Sequence, residues 1–181
     1  MSEKWFKNKI TLQLHYNYNM SLYESNIKIL KRNQKTEGNA NYYFSPIISF
    51  ELYNAKVVFI NPKFLVFEFD KYKCSTLFNL LQKSYNVLQN ELKKNYSELF
   101  DKNIYSFITE QETTFTIRCH LPNKNGKYFV TCKDINQSDV KFNLPRSNIN
   151  YNTVIVEVRN LWSNNDKYGF NIELKHIKYD F

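Results

Sequence analysis

The chain has 181 residues, 25 Lys or Arg against 17 Asp or Glu, a net charge of +8, and 43% hydrophobic residues. That hydrophobic share supports a core and excludes wholesale disorder, and the length favours one domain spanning 1–181. The positive balance favours an acidic partner (nucleic acid, an anionic membrane or an acidic protein) and says nothing about fold.

Cys74, Cys119 and Cys132 form no CxxC pair, so a reducing compartment such as the cytoplasm is expected rather than a disulfide framework. The opening MSEKWFKNK has no apolar stretch suited to a secretory leader, and no apolar run approaches membrane-spanning length. Aromatic residues reach 17% beside abundant Lys, Asn and Ile, a composition that suggests an AT-rich genome, so no single ring carries weight alone.

Alternation through Ile10, Leu12, Leu14 and Tyr16 predicts a strand within Trp5–Tyr16, and Ile27 and Ile29 predict a weaker one over Asn26–Lys31. Lys35–Asn41 reads as a polar loop, followed by Tyr42-Tyr43-Phe44 and a break at Pro46. Ala55–Ile60 and Lys63–Phe69 are apolar strands separated by Asn61-Pro62, a hairpin. From Cys74 to Phe100 the period changes: Leu77, Leu81, Tyr85, Leu88, Leu92, Tyr96 and Leu99 recur at threes and fours. This predicts one long helix within about 74–100 (about 25 residues, roughly 37 Å at 1.5 Å per residue), with Ser75 as cap, packed across a sheet or forming a coiled-coil seam.

Beyond it the chain returns to β structure. Ile104–Thr109 is a candidate strand. Thr113–Leu121 and Lys127–Lys133 flank Pro122-Asn123-Lys124-Asn125-Gly126, a predicted hairpin. Asp134–Asn150 is a polar connection, and a last strand pair within Thr153–Ile177 turns at Ser163-Asn164-Asn165-Asp166. The fold class is mostly β, with an N-terminal β extension and one helix.

Strand parity sorts the faces. Phe115, Ile117, Cys119 and Leu121 fall on one face of their strand, with Arg118 and His120 on the other. Across the turn, Lys127, Phe129 and Lys133 join that second face. Near the C-terminus, Arg159, Trp162, Lys167 and Tyr168 surround one turn, and Lys175 alternates with Ile172 and Leu174 on the strand after it. Cations that follow phosphates, with rings that stack on unpaired bases, suit a single-stranded nucleic acid. Arg118, His120, Lys127, Lys133, Arg159, Lys167 and Lys175 are therefore the candidate polar contacts, and Phe129, Trp162 and Tyr168 the candidate platforms.

Other chemistry finds less. His15, His120 and His176 are scattered, and there is no P-loop, GxGxxG or GxSxG, so no metal or cofactor is expected. The nearest approach to nuclease chemistry is Glu173-Leu174-Lys175, which needs further acids converging on it, with Asp134, Asp139 and Glu157 available.

V-x-V-x-V-x-x-L-W, carried by Val154, Val156, Val158, Leu161 and Trp162, leads into K-Y-G-F-x-I-x-L-x-x-I, carried by Lys167, Tyr168, Gly169, Phe170, Ile172, Leu174 and Ile177. This stretch resembles the closing strands of OB-fold single-stranded-DNA-binding proteins of large cytoplasmic DNA viruses, cytoplasmic linear plasmids and short-tailed phages. The resemblance implies a five-stranded OB barrel with the long helix inserted or packed at one end, no enzymatic activity, and coating of single strands in replication, recombination or repair. It also implies replication proteins as partners, although the chain ends Lys178-Tyr179-Asp180-Phe181 without the acidic tail common in such families. Two readings stand beside it: RNA in place of DNA, and a structural or interaction protein that homodimerises through the helix.

Overall fold

A computed structural model describes residues 9–12, 28–35, 39–45, 47–134, 136–145 and 148–178. In chain order the strands before the helix are β1 (Lys9–Leu12), β2 (Lys28–Asn33), β3 (Ala40–Ser45), β4 (Ile47–Asn61) and β5 (Phe64–Asp70). Helix α1 (Ser75–Asn95) follows, then β6 (Asn103–Tyr105), β7 (Ile108–Glu110), β8 (Thr114–His120), β9 (Asn123–Lys124) and β10 (Lys127–Tyr128). The chain finishes with β11 (Thr131–Lys133), β12 (Asp139–Val140), β13 (Asn150–Ser163) and β14 (Lys167–Lys178). Of the strand expected within Trp5–Tyr16, only Lys9–Leu12 lies among the described residues, and it runs parallel to β4. His15 and Tyr179–Phe181 fall outside them.

Five strands close on themselves. β4 pairs antiparallel with β5, β5 with β8, β8 parallel with β14, β14 antiparallel with β13, and β13 antiparallel with β4. Numbered by their place in the barrel, the order is 1-2-3-5-4-1, with the lone parallel contact between the third and fifth strands. This is an OB-like barrel. Its interior follows from alternation: Leu65, Phe67 and Phe69 on β5, Phe115, Ile117 and Cys119 on β8, and Val154, Val156 and Val158 on β13 are all buried. Each such apolar side chain contributes about 1.5–3 kcal/mol when fully buried.

The helix joins the second and third barrel strands and packs on the barrel. Its buried stripe is Leu77, Leu81, Ser84, Tyr85, Leu88 and Leu92. Phe78 lies 5.0 Å from Phe115 by ring centroids, and Tyr85 lies 5.4 Å from Phe170. The apolar stripe offered for a coiled-coil seam is thus consumed within the chain. Ser75 does not cap the helix. Cys74 holds that position without a side-chain bond, and Asp70 Oδ1 accepts the Tyr72 and Lys73 amides just upstream. The helix also stops short of Phe100, because Tyr96 at φ −139° leaves the helical region and a 3₁₀ turn over Ser97–Leu99 follows. The β2–β3 hairpin seals this end: Tyr42 meets Tyr96 edge-on at 4.8 Å and donates its hydroxyl to Glu98, which also pairs with Lys31.

One expected hairpin is replaced. The stretches Thr113–Leu121 and Lys127–Lys133 do not pair with each other. Instead Asn125 and Gly126, both at positive φ (53° and 77°), turn a miniature hairpin of β9 and β10. β8 is occupied on both edges by β5 and β7, and β11 goes to β14 and β12. The turn forms where its residues predict, but the edges of β8 are taken by β5, β7 and β14. Ile104–Thr109 likewise forms two short strands, β6 and β7, around a bend at Ser106-Phe107.

Candidate nucleic-acid interface

The turn between β4 and β5 sets the first part of the site. Asn61 Oδ1 accepts the Lys63 amide at 2.9 Å, holding Asn61-Pro62-Lys63 as an Asx turn. This places Phe59 and Phe64 together on the outer wall, stacked with centroids 5.6 Å apart and planes 18° from parallel. From the neighbouring strand, the Arg118 guanidinium lies over the Phe64 ring at 3.9 Å. It reaches the Tyr105 hydroxyl at 3.5 Å, and the Tyr105 ring leads to Trp162 at 6.5 Å. A row of flat groups thus crosses the barrel in the order Phe59, Phe64, Arg118, Tyr105, Trp162. Phe59 and Tyr105 are each 51% exposed, far above what a core role requires.

The far end depends on a glycine. Trp162, Gly169 and Tyr105 are register neighbours on β13, β14 and β6. A Cβ at Gly169 would stand 3.0 Å from both the Trp162 ring and the Tyr105 carbonyl oxygen. Gly169 is what lets the indole lie down on the sheet. The adjoining turn is held rigid: Asn164 Oδ1 accepts the Asp166 and Lys167 amides, and Lys102 Nζ donates to Ser163 Oγ at 2.8 Å.

Between the rings lies a cleft of about 350 Å³ lined by Tyr105, Phe107, Arg118, His120, Trp162 and Phe170. Arg118 Nε is buried there without a hydrogen-bond partner among the described residues. Burial, reinforced by the Arg118 charge, holds the His120 imidazole below its ordinary pKa, against a weaker upward pull from Glu173. Exposed Lys63 and Lys167 stand at the two turns, and Lys124 and Lys127 on the β9–β10 hairpin, which touches the first turn through Tyr128 Oη donating to the Pro62 carbonyl. None of these four lysines is ion-paired with a described carboxylate.

The predicted residues therefore divide. Arg118, His120 and Trp162 come together in one cleft, with Lys167 beside it. Lys127 stands on the miniature hairpin and Phe129 on the segment after it, 54% exposed, so neither shares a strand face with Arg118 as parity implied. Lys127 instead lines a second cleft of about 560 Å³, which shares no lining residue with the first. Lys133 sits on β11, in register between Lys178 of β14 and Asp139 of β12.

Tyr168 is a correction: it is 1% exposed, and its hydroxyl accepts a hydrogen bond from Gln89 of the helix at 3.1 Å. It belongs to the core, on the parity of Phe170, and offers no platform.

Arg159 and Lys175 are a second correction. Both are the extra residues of β-bulges in the β13–β14 ladder, and both turn to carboxylates. Lys175 Nζ lies 2.6 Å from Glu173 and 3.8 Å from Glu157, and Arg159 Nε lies 3.8 Å from Glu173. Of the three acids available to Glu173-Leu174-Lys175, Glu157 is thus brought beside it, but the group of two cations and two carboxylates is neutral. Among the described residues no three His, Cys, Asp or Glu converge as a metal site, and no helix is long and apolar enough to cross a membrane.

Phe59, Phe64 and Tyr105 were not anticipated. Phe64 alternates with buried Leu65 and Phe67 in a run too apolar to show an outer face, and Tyr105 sits where a continuous strand was expected. Compared with known proteins, the sequence matches no family model and no curated protein.

Proposed function

We propose that the protein binds single-stranded DNA with little regard to sequence, by stacking bases on the Phe59–Phe64–Tyr105–Trp162 row and engaging phosphates with Arg118, Lys63, Lys127 and Lys167. The observation that carries this reading is the row itself: Phe59 and Phe64 stacked, the Arg118 guanidinium over Phe64, and the exposed Tyr105 ring leading to half-buried Trp162, flanked by lysines with no described carboxylate partner. Its place adds weight. OB barrels take oligonucleotides on the face of their second and third strands, between the 1–2 and 4–5 turns. Here Phe64 and Arg118 lie on those strands, Phe59 and Phe64 flank the first of those turns, and Trp162 nearly adjoins the second. Fold alone assigns no function, so the argument rests on the side chains.

The expected role is coating of strands exposed in replication, recombination or repair, as in the viral, linear-plasmid and phage families that the closing strands resemble. A homodimer through α1 has less support, because its apolar stripe is buried against the chain's own barrel.

Titration with oligo(dT) tests the reading. Tryptophan emission should be quenched, Trp162→Phe should remove most of that signal, and log K should fall with log salt at about 0.7 per neutralised phosphate. Unchanged emission and no salt dependence at low ionic strength would reject it. Competition with RNA and duplex DNA sets the polymer preference.

A further inference from the structure

The row accounts for stacking but leaves the cleft behind it unexplained. At about 350 Å³ the cleft lies near the lower end of small-molecule pockets, the right scale for one nucleobase rather than a length of strand. Its walls are Trp162 and Tyr105, with Phe107 and Phe170 also lining it, so a planar ligand finds aromatic surface. Besides the Tyr105 hydroxyl and the Trp162 indole N–H, its polar side chains are Arg118 and His120.

Arg118 is unusually placed for a cation. Stacking on Phe64 at 3.9 Å fixes the plane of its guanidinium. It has no carboxylate partner among the described residues, its contact with Tyr105 is at the 3.5 Å limit, and its Nε–H is buried with no acceptor. A ligand in the cleft cannot reach that enclosed Nε–H, so recognition falls to the terminal nitrogens, whose hydrogen bond among the described residues is the long one to Tyr105. Neighbouring phosphates have other cations to meet, namely Lys63 and Lys167 at the two turns.

We propose that this cleft is a one-base subsite that prefers guanine. Resting on the single-strand reading above, the inference adds that one nucleotide leaves the stacked row and enters the cleft against the aromatic surface that Trp162 and Tyr105 line. An arginine fork matches the adjacent O6 and N7 acceptors of guanine, whereas adenine places a donor beside its N7. Cytosine also carries adjacent acceptors, but its single ring leaves part of the aromatic wall uncovered. Binding is then tolerant along the row and selective at one position.

The test uses the full chain and oligo(dT) carrying one central substitution. A dG should raise affinity at least fivefold over unsubstituted oligo(dT), deoxyinosine, which keeps O6 and N7, should match it, and 7-deaza-dG, which lacks N7, should lose most of the gain. Arg118→Lys should bring the dG-to-dT affinity ratio near one, whatever it does to absolute affinity. Oligo(dT) binding that is intact but equal for dG, dA, dC and dT overturns the guanine subsite and leaves the row standing. A gain that survives 7-deaza substitution or Arg118→Lys also overturns it. Failure to bind any of these strands overturns both readings.

Discussion

The outer wall of the barrel carries two surfaces made from the same residue types. On one, Arg118 stands on Phe64 and faces no described carboxylate. On the other, Arg159 and Lys175 are ion-paired with Glu157 and Glu173. Register separates them. Arg118 lies opposite Val66, which asks nothing of it, while Glu157 lies directly opposite Glu173, a like-charge pair that would destabilise the ladder by itself. The two bulges insert one cation on each strand beside that pair. Those cations offset a local repulsion and offer little to a ligand. Formal charge and available charge are different quantities, and cross-strand pairing converts one into the other.

The largest expected effect tests the inside of the same hairpin against its outside. Tyr168→Ala removes a buried ring and Gln89's acceptor, so unfolding in denaturant should show a loss of about 3–5 kcal/mol, while the folded fraction keeps its affinity for oligo(dT). Trp162→Ala should do the reverse, weakening binding by about 1–3 kcal/mol. Unchanged affinity with a large fall in stability would make the indole a core plug. Next comes the contrast between the two surfaces. Arg118→Ala should weaken binding by about 1–3 kcal/mol and flatten the salt dependence by roughly one phosphate, whereas Arg159→Ala should change both little. Equal losses would show that the ion-paired surface also touches the strand.

Much of this was legible because strand periodicity is strict. Arg118 and His120 were placed outside by the buried Phe115, Ile117 and Cys119 between which they alternate, and the helix stripe emerged at the positions its spacing dictated. What escaped notice were facts of pairing. Nothing local marks Glu157 as the partner of Glu173, or Arg159 and Lys175 as bulge residues, since a bulge is defined only against a second strand. Tyr168 looked like a platform because it adjoins Trp162 in motif and turn, yet its parity is that of Phe170. The row itself spans segments from Phe59 to Trp162, so only closure of the barrel assembles it.

A smaller effect probes the neutral surface directly. Glu173→Gln releases Arg159 and Lys175 from their nearest carboxylate and should raise affinity for oligo(dT) by roughly two- to fivefold with a steeper salt dependence. An unchanged affinity and slope would mean that the strand passes nowhere near these cations even when they are free.

The smallest effect joins the two surfaces through His120. Its imidazole faces Arg118 in the cleft and lies in register with Glu173 across the parallel β8–β14 contact. Burial and Arg118 keep it below the ordinary value of about 6.5, so it is neutral at pH 7 in the folded protein. Because the folded value is the depressed one, its contribution to stability is complete above the unfolded value and is lost as pH falls through the folded one. The phosphates of a strand laid along the row favour the charged ring, so binding takes up a proton in that window. Affinity should therefore rise as pH falls toward and below the ordinary value of about 6.5, even as unfolding stability declines. His120→Asn should flatten the affinity profile. His176→Asn should leave it sloping, since that ring is bonded to Thr131 and is held low by its own burial and by Lys133. In Glu173→Gln the upward pull on His120 disappears, and the rise should move to lower pH. A rise that stays in place would mean that the carboxylate does not govern the histidine, and that the two surfaces act independently.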